Sequence, residues 1–172
     1  MFQKPLAAVA VFLFMSSAGA VPVVWQLNDV TIADGSIATG TFTFDADTST
    51  YSNISITSTG TNGWGSFYDQ IAPGAVSLAD QVGFNDGGTF FFGLIFDTGL
   101  TNSGGNVGIY VSPGAYGASL EATCVFECQF PDPETFRSIT GGYVSAVPLP
   151  AAVWLFGSAL AGLGWMRKKR TI

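Results

Sequence analysis

The chain has no histidine among its 172 residues, only two cysteines, and few charges of either sign. Each scarcity removes a class of chemistry. Without histidine there is no Ser-His-Asp triad, no Cys-His pair and no His-ligated metal centre. Two cysteines without histidine fall short of the roughly four ligands a structural zinc site needs. Between Val21 and Ala146 there is a single basic residue, Arg137, against twelve acidic ones, a net charge of −11. Nucleic acid is therefore excluded as a partner, since each phosphate contact needs a compensating cation. Also missing from this segment is any long run with apolar residues at helical spacing and proper caps, which excludes a helical bundle.

Against these absences, the two ends differ sharply from the middle. Met1 to Ala20 has a basic start at Lys4, an apolar run from Leu6 to Met15, and then Ser16-Ser17-Ala18-Gly19-Ala20. That order is a secretory signal, with Ala18 and Ala20 fitting the small pockets of signal peptidase and cleavage expected after Ala20. About ten apolar residues are too short to cross a hydrocarbon layer of ~30 Å, which argues against an uncleaved anchor. Export in turn permits oxidation. Cys124-Val125-Phe126-Glu127-Cys128 is then expected to form a local disulfide that fixes one turn. Its C-x3-C spacing does not suit redox catalysis.

Residues 21–146 have the length of one domain. From Val24 to Thr59, β-branched and aromatic residues are interrupted by Asp/Gly and Asp/Thr/Ser clusters, which predicts a strand meander. In its second strand Ala38, Gly40, Phe42 and Phe44 share one face, while Ile37, Thr39, Thr41 and Thr43 share the other. In the third, Ile54 and Ile56 are set against Asn53, Ser55 and Thr57. Thr89 to Phe96 is apolar on both faces and predicts a central strand. Further strands are expected at 107–111, 119–126 and 136–144, and residues 75–82 fit a strand or a short helix. The fold expected is all-β: one antiparallel β-sandwich or jelly-roll-like domain.

Candidate chemistry in this domain is sparse. A glycosidase needs only two carboxyl groups across a cleft, and Glu121, Glu127 and Glu134 qualify by residue type. Asp45-Ala46-Asp47 resembles the start of a calcium loop, but Thr50 and Ile56 stand where such a loop has glycine and glutamate. Together with Asp86 in Asn85-Asp86-Gly87-Gly88, these aspartates are the calcium candidates; no other cofactor is indicated. Trp64, in Gly63-Trp64-Gly65, is the loop-borne aromatic placed to stack on a polysaccharide. Asn53-Ile54-Ser55 matches a glycosylation pattern that chance explains better on a predicted strand.

The C-terminal end has three parts. Val147-Pro148-Leu149-Pro150-Ala151 holds the junction extended, which suits a peptidase. Ala151 to Met166 is uncharged and largely apolar, a transmembrane helix of about 24 Å with Trp154 and Trp165 near the interfaces. Arg167-Lys168-Lys169-Arg170 then opposes translocation, leaving the C-terminus cytoplasmic and residues 21–146 outside. An ordinary tail anchor is the alternative.

These three parts in this order resemble the PEP-CTERM sorting domain in its VPLPA variant, with Leu149 where the commoner pattern has glutamate. The resemblance implies recognition by an exosortase-type membrane peptidase, removal of the helix, and release or attachment at the surface, often alongside exopolysaccharide production. The segment from Trp25 to Thr59 is also similar to a β-rich passenger of such proteins. The expected function is a non-catalytic exported surface or matrix protein, held in the inner membrane until processed. The alternatives are a polysaccharide- or calcium-binding module and a carboxylate-based glycoside hydrolase.

Overall fold

A computed structural model describes residues 21–112, 114, 117–125, 128 and 130–148. The predicted signal peptide, the apolar segment Ala151 to Met166 and the basic cluster lie outside the described residues. Among the described residues, no helix is long and apolar enough to cross a membrane.

Among the described residues, ten strands form one antiparallel sheet: β1 (Val23–Ile32), β2 (Ile37–Asp45), β3 (Thr50–Ser58), β4 (Phe67–Tyr68), β5 (Gln70–Ile71), β6 (Gln81–Asn85), β7 (Phe90–Ile95), β8 (Asn106–Gly108), β9 (Leu120–Val125) and β10 (Phe130–Ala146). Their order is β4-β3-β2-β1-β10-β9-β7-β6-β5, with β8 on the free side of β10. The two ends of this path, β4 and β5, are separated in the chain by Asp69 alone, so the sheet returns almost to its start.

The long strand β10 makes this possible. Its first half, as far as Ser138, pairs with β9, and its second half, Ile139 to Ala146, pairs with β1 and β8. The predicted pair of stacked sheets is therefore one sheet bent through a shared strand into a nearly closed, barrel-like form. The all-β antiparallel expectation stands. Separate layers do not, because β10 is long enough to serve both.

The alternation read from the sequence sets the core. Ala38, Phe42 and Phe44 of β2 point inward and are buried, and Ile37 and Thr39 are exposed. Phe42 meets Phe84 of the opposite wall at 5.7 Å between ring centroids, and Tyr68 meets Phe92 at 5.3 Å. On β7, Phe92 and Leu94 enter this core while Phe91 faces outward into a second cluster with Ala72, Leu120, Ala122 and Cys128. That double coverage explains why β7 is apolar on both faces. Of residues 75–82, expected as strand or helix, the last two begin β6, and 75–80 form a turn-containing connection joined to it by the Leu78–Gln81 bridge.

Two local features follow from residue type. Gly35 closes the β1–β2 turn at φ 82°, and the Asp34 side chain accepts the amide of Ser36 at 3.0 Å. Between β2 and β3 a bulge at Asn53–Ile54 faces one residue, Phe42, and lets Tyr51 and Ile54 both turn toward the core.

Candidate functional site

The described acidic candidates are separated rather than gathered. Glu121 lies on β9 opposite Arg137 of β10, and both side chains point into the barrel, with Glu121 fully buried. One carboxylate oxygen, Oε1, accepts from Ser58 Oγ at 2.8 Å and from Tyr68 OH at 2.5 Å. The other, Oε2, accepts from Arg137 Nε at 2.8 Å and lies beside Nη2. The remaining guanidinium donors reach Asp34 Oδ2 at 2.6 Å, Ser36 Oγ at 3.0 Å and the carbonyl of Thr59 at 2.7 Å.

Every nitrogen of Arg137 therefore has a partner, as a buried guanidinium requires. Burial, reinforced by the Glu121 charge, pushes the Tyr68 hydroxyl far above its ordinary range, so it stays a donor. Asp34 is held below the ordinary carboxylate range. Burial, the largest single influence, raises it, but the bonds from Ser36 and Arg137 together outweigh this. The arrangement pins the β1–β2 turn, the end of β3, β4, β9 and β10 to one another. It offers no open carboxylate, for Glu121 is saturated and out of contact with water. Glu134 is exposed on β10, and Glu127 lies outside the described residues.

Trp64 covers this cluster rather than standing free. It is half-buried, 5.5 Å from the Phe90 ring, with Arg137 Cζ 5.0 Å above its ring centroid.

Of the calcium candidates, Asp45 and Asp86 anchor turns, and Asp47 contributes its amide to the first of them. Asp45 Oδ1 accepts the amide of Asp47 and the Asn102 side chain, at 2.9 and 3.2 Å. Those bonds, led by the one from Asn102, hold its carboxyl below the ordinary range. Asp86 Oδ1 accepts the amides of Gly88, Thr89 and Phe90, and Oδ2 accepts Ser66 Oγ at 2.8 Å. Burial alone would raise the Asp86 carboxyl, but these bonds together leave it below the ordinary range. Among the described residues, no three acidic or cysteine side chains are grouped to hold a metal ion.

Cys124 and Cys128 are joined, their Cα atoms 4.5 Å apart, as the sequence predicts. The short ring contributes about 2 kcal/mol by the loop-entropy relation. It tightens the β9–β10 connection against the outer cluster of Phe91 and Ala72. Beside that cluster is a pocket of about 310 Å³. The Phe91 ring lies over its floor, made by the cross-strand pair Gly83 and Gly93. Among the described residues, no titratable side chain lines it.

At the other end of β10 the sheet meets the predicted sorting segment. Trp25 pairs with Ala146, and the amide of Val147 donates to the carbonyl of Val24 at 2.8 Å. Val147 and Pro148 are exposed, as is Val21 at the start of the described chain. The last strand thus ends just before the Pro-containing junction, on the strand next to the one that opens the described residues. Leu149, Pro150 and Ala151 lie outside the described residues.

The chain matches no curated protein and no solved structure. Over residues 146–168, starting at the last residue of β10, the chain carries a PEP-CTERM protein-sorting motif, shown by a match to the model of that family.

Proposed function

We propose that this protein is an exported, non-catalytic surface or extracellular-matrix protein, held in the inner membrane by its C-terminal segment until an exosortase-type peptidase removes that segment. The observation that carries the proposal is the sorting motif at residues 146–168, directly against the last strand. A folded acidic domain outside and Arg167 to Arg170 inside is the orientation the basic cluster favours. Val147-Pro148-Leu149-Pro150-Ala151 supports the VPLPA variant as the processed form, with signal peptidase acting first after Ala20.

The non-catalytic reading is supported by the state of Glu121, which is buried and fully bonded to Arg137, Tyr68 and Ser58. A carboxylate in that state neither gives up a proton to a substrate nor attacks one.

Fractionation of cells producing the parent chain or the double variant Pro148→Ala/Pro150→Ala tests the proposal. The parent is expected at the surface or in the medium, and the variant is expected to accumulate in the inner membrane. Equal release of both would remove the sorting role from this junction.

A further inference from the structure

The outward face of the half-sheet β3-β2-β1-β10-β8 carries aligned rows of polar side chains. The registers align Ser55, Thr41, Gln26, Ser145 and Asn106 in one continuous row across all five strands. Each of these side chains alternates with a core residue, so the row faces solvent. At ~4.8 Å between strands it is about 19 Å long. In the neighbouring row Asn28 pairs with Tyr143, which is 37% exposed and opposite Gly108, whose outer side is covered by the Asp97 carboxylate.

None of the side chains that alternate along these two rows is charged, although the Asp97 carboxylate lies over Gly108 beside them, on a domain whose acidic residues outnumber the basic ones twelve to one. Gln26, Thr41, Ser55 and Asn106 make no side-chain hydrogen bond to another described residue. Within the row only Ser145 is engaged, accepting from Asn28 at 2.9 Å.

We propose that this face binds a neutral polysaccharide chain, laid across the strands with Tyr143 stacking on a sugar ring. Amide and hydroxyl side chains both donate and accept, as sugar hydroxyls do, and the strongly acidic balance of the domain, with the Asp97 carboxylate beside Tyr143, disfavours an anionic chain over a neutral one. A tyrosine ring adds rigid amphipathic area beside adaptable polar groups, a pairing suited to polar ligands. A second copy is a poorer fit, because a stable protein interface needs an apolar centre that these rows lack. Trp64, the aromatic singled out by sequence, is committed to Phe90 and Arg137. The proposal does not depend on the sorting reading.

The test is calorimetric titration of the unprocessed chain, with its C-terminal segment, in zwitterionic-lipid nanodiscs. The probes are hexasaccharides of β-1,4-glucan, α-1,4-glucan and β-1,4-mannan, with polygalacturonate as the anionic comparison. Saturable binding to at least one neutral probe is expected. It should weaken at least tenfold in Tyr143→Ala and in Gln26→Ala/Thr41→Ala, and stay unchanged in Val76→Ser on the opposite wall, all with unaltered circular dichroism. The proposal is overturned by no saturation with any neutral probe, by preference for polygalacturonate, or by affinity that the face variants leave unchanged. Sedimentation showing dimers that Tyr143→Ala dissolves would assign the face to a second copy instead.

Discussion

Arg137 is the one cation of the domain, and its position explains why a single one suffices. Its guanidinium neutralises the buried Glu121 carboxylate and bonds to Asp34, Ser36 and Thr59 from two other strand ends. Replacing it would leave Glu121 buried and uncompensated. Arg137→Met is therefore expected to lower unfolding stability by about 3–5 kcal/mol. Glu121→Gln/Arg137→Met should lose less than that single variant, and urea unfolding of the set measures both. Tyr51 and Tyr68 add a pH dependence. Burial, the largest influence on each, raises both hydroxyls above the ordinary tyrosine value of 10.0. Folded protein then holds protons that unfolded chain releases, so their contribution is complete below pH 10 and lost as pH rises above it. Tyrosinate absorbance from these two residues should appear together with alkaline unfolding, and Tyr68→Phe should flatten the loss of stability above pH 10. At this scale the sequence was legible in type but not in pairing. Glu121 and Arg137 are sixteen positions apart, and only the β9–β10 register makes them partners. Reading Glu121 as a candidate acid and Trp64 as a free stacking platform overlooked that both need the same arginine. The one available signal was that a lone cation among twelve acids is apt to be committed.

Among the elements, the early meander was the most readable because period-2 alternation and turn chemistry agree there. Phe42 and Phe44 enter the core and Asp34-Gly35 makes the turn, as the pattern requires. The bulge that sets β3 against β2 left a fainter trace. Near it, Gly40 has φ 132°, and an added Cβ would stand 2.1 Å from the carbonyl oxygen of Ser55 and 2.7 Å from Ile56 Cα. Both the backbone angle and the close strand contact exclude a side chain. Gly40→Ala is thus expected to cost on the order of 3 kcal/mol. Thermal unfolding would show this as a lower midpoint, accompanied by faster amide exchange along β2 and β3. The division of β10 was not legible. From Phe136 to Val144 its sequence predicts one ordinary strand, and nothing local says that its first half serves one wall and its second half the other. That property depends on what β1 and β9 place beside it.

In the whole molecule, the bend in β10 gives the barrel its near-closure, and its last residue carries the chain to the sorting motif. Because β1 and β10 are neighbours, Val21 and Val147 lie at the same end of the domain. A domain held from that end presents the β1–β2 turn and the Arg137 cluster away from the membrane. The tail was the most legible part of the chain, since proline, an apolar run and a basic cluster act through composition and order rather than through long-range pairing. The role of the domain was least legible, because neutral side chains acquire meaning only when strand registers align them. The most direct measurement of the sorting account is intact mass spectrometry of the protein recovered from the cell surface and medium. The account predicts a chain beginning at Val21 and ending within residues 147–151. A recovered chain that retains both Met1 and Ile172 would contradict it.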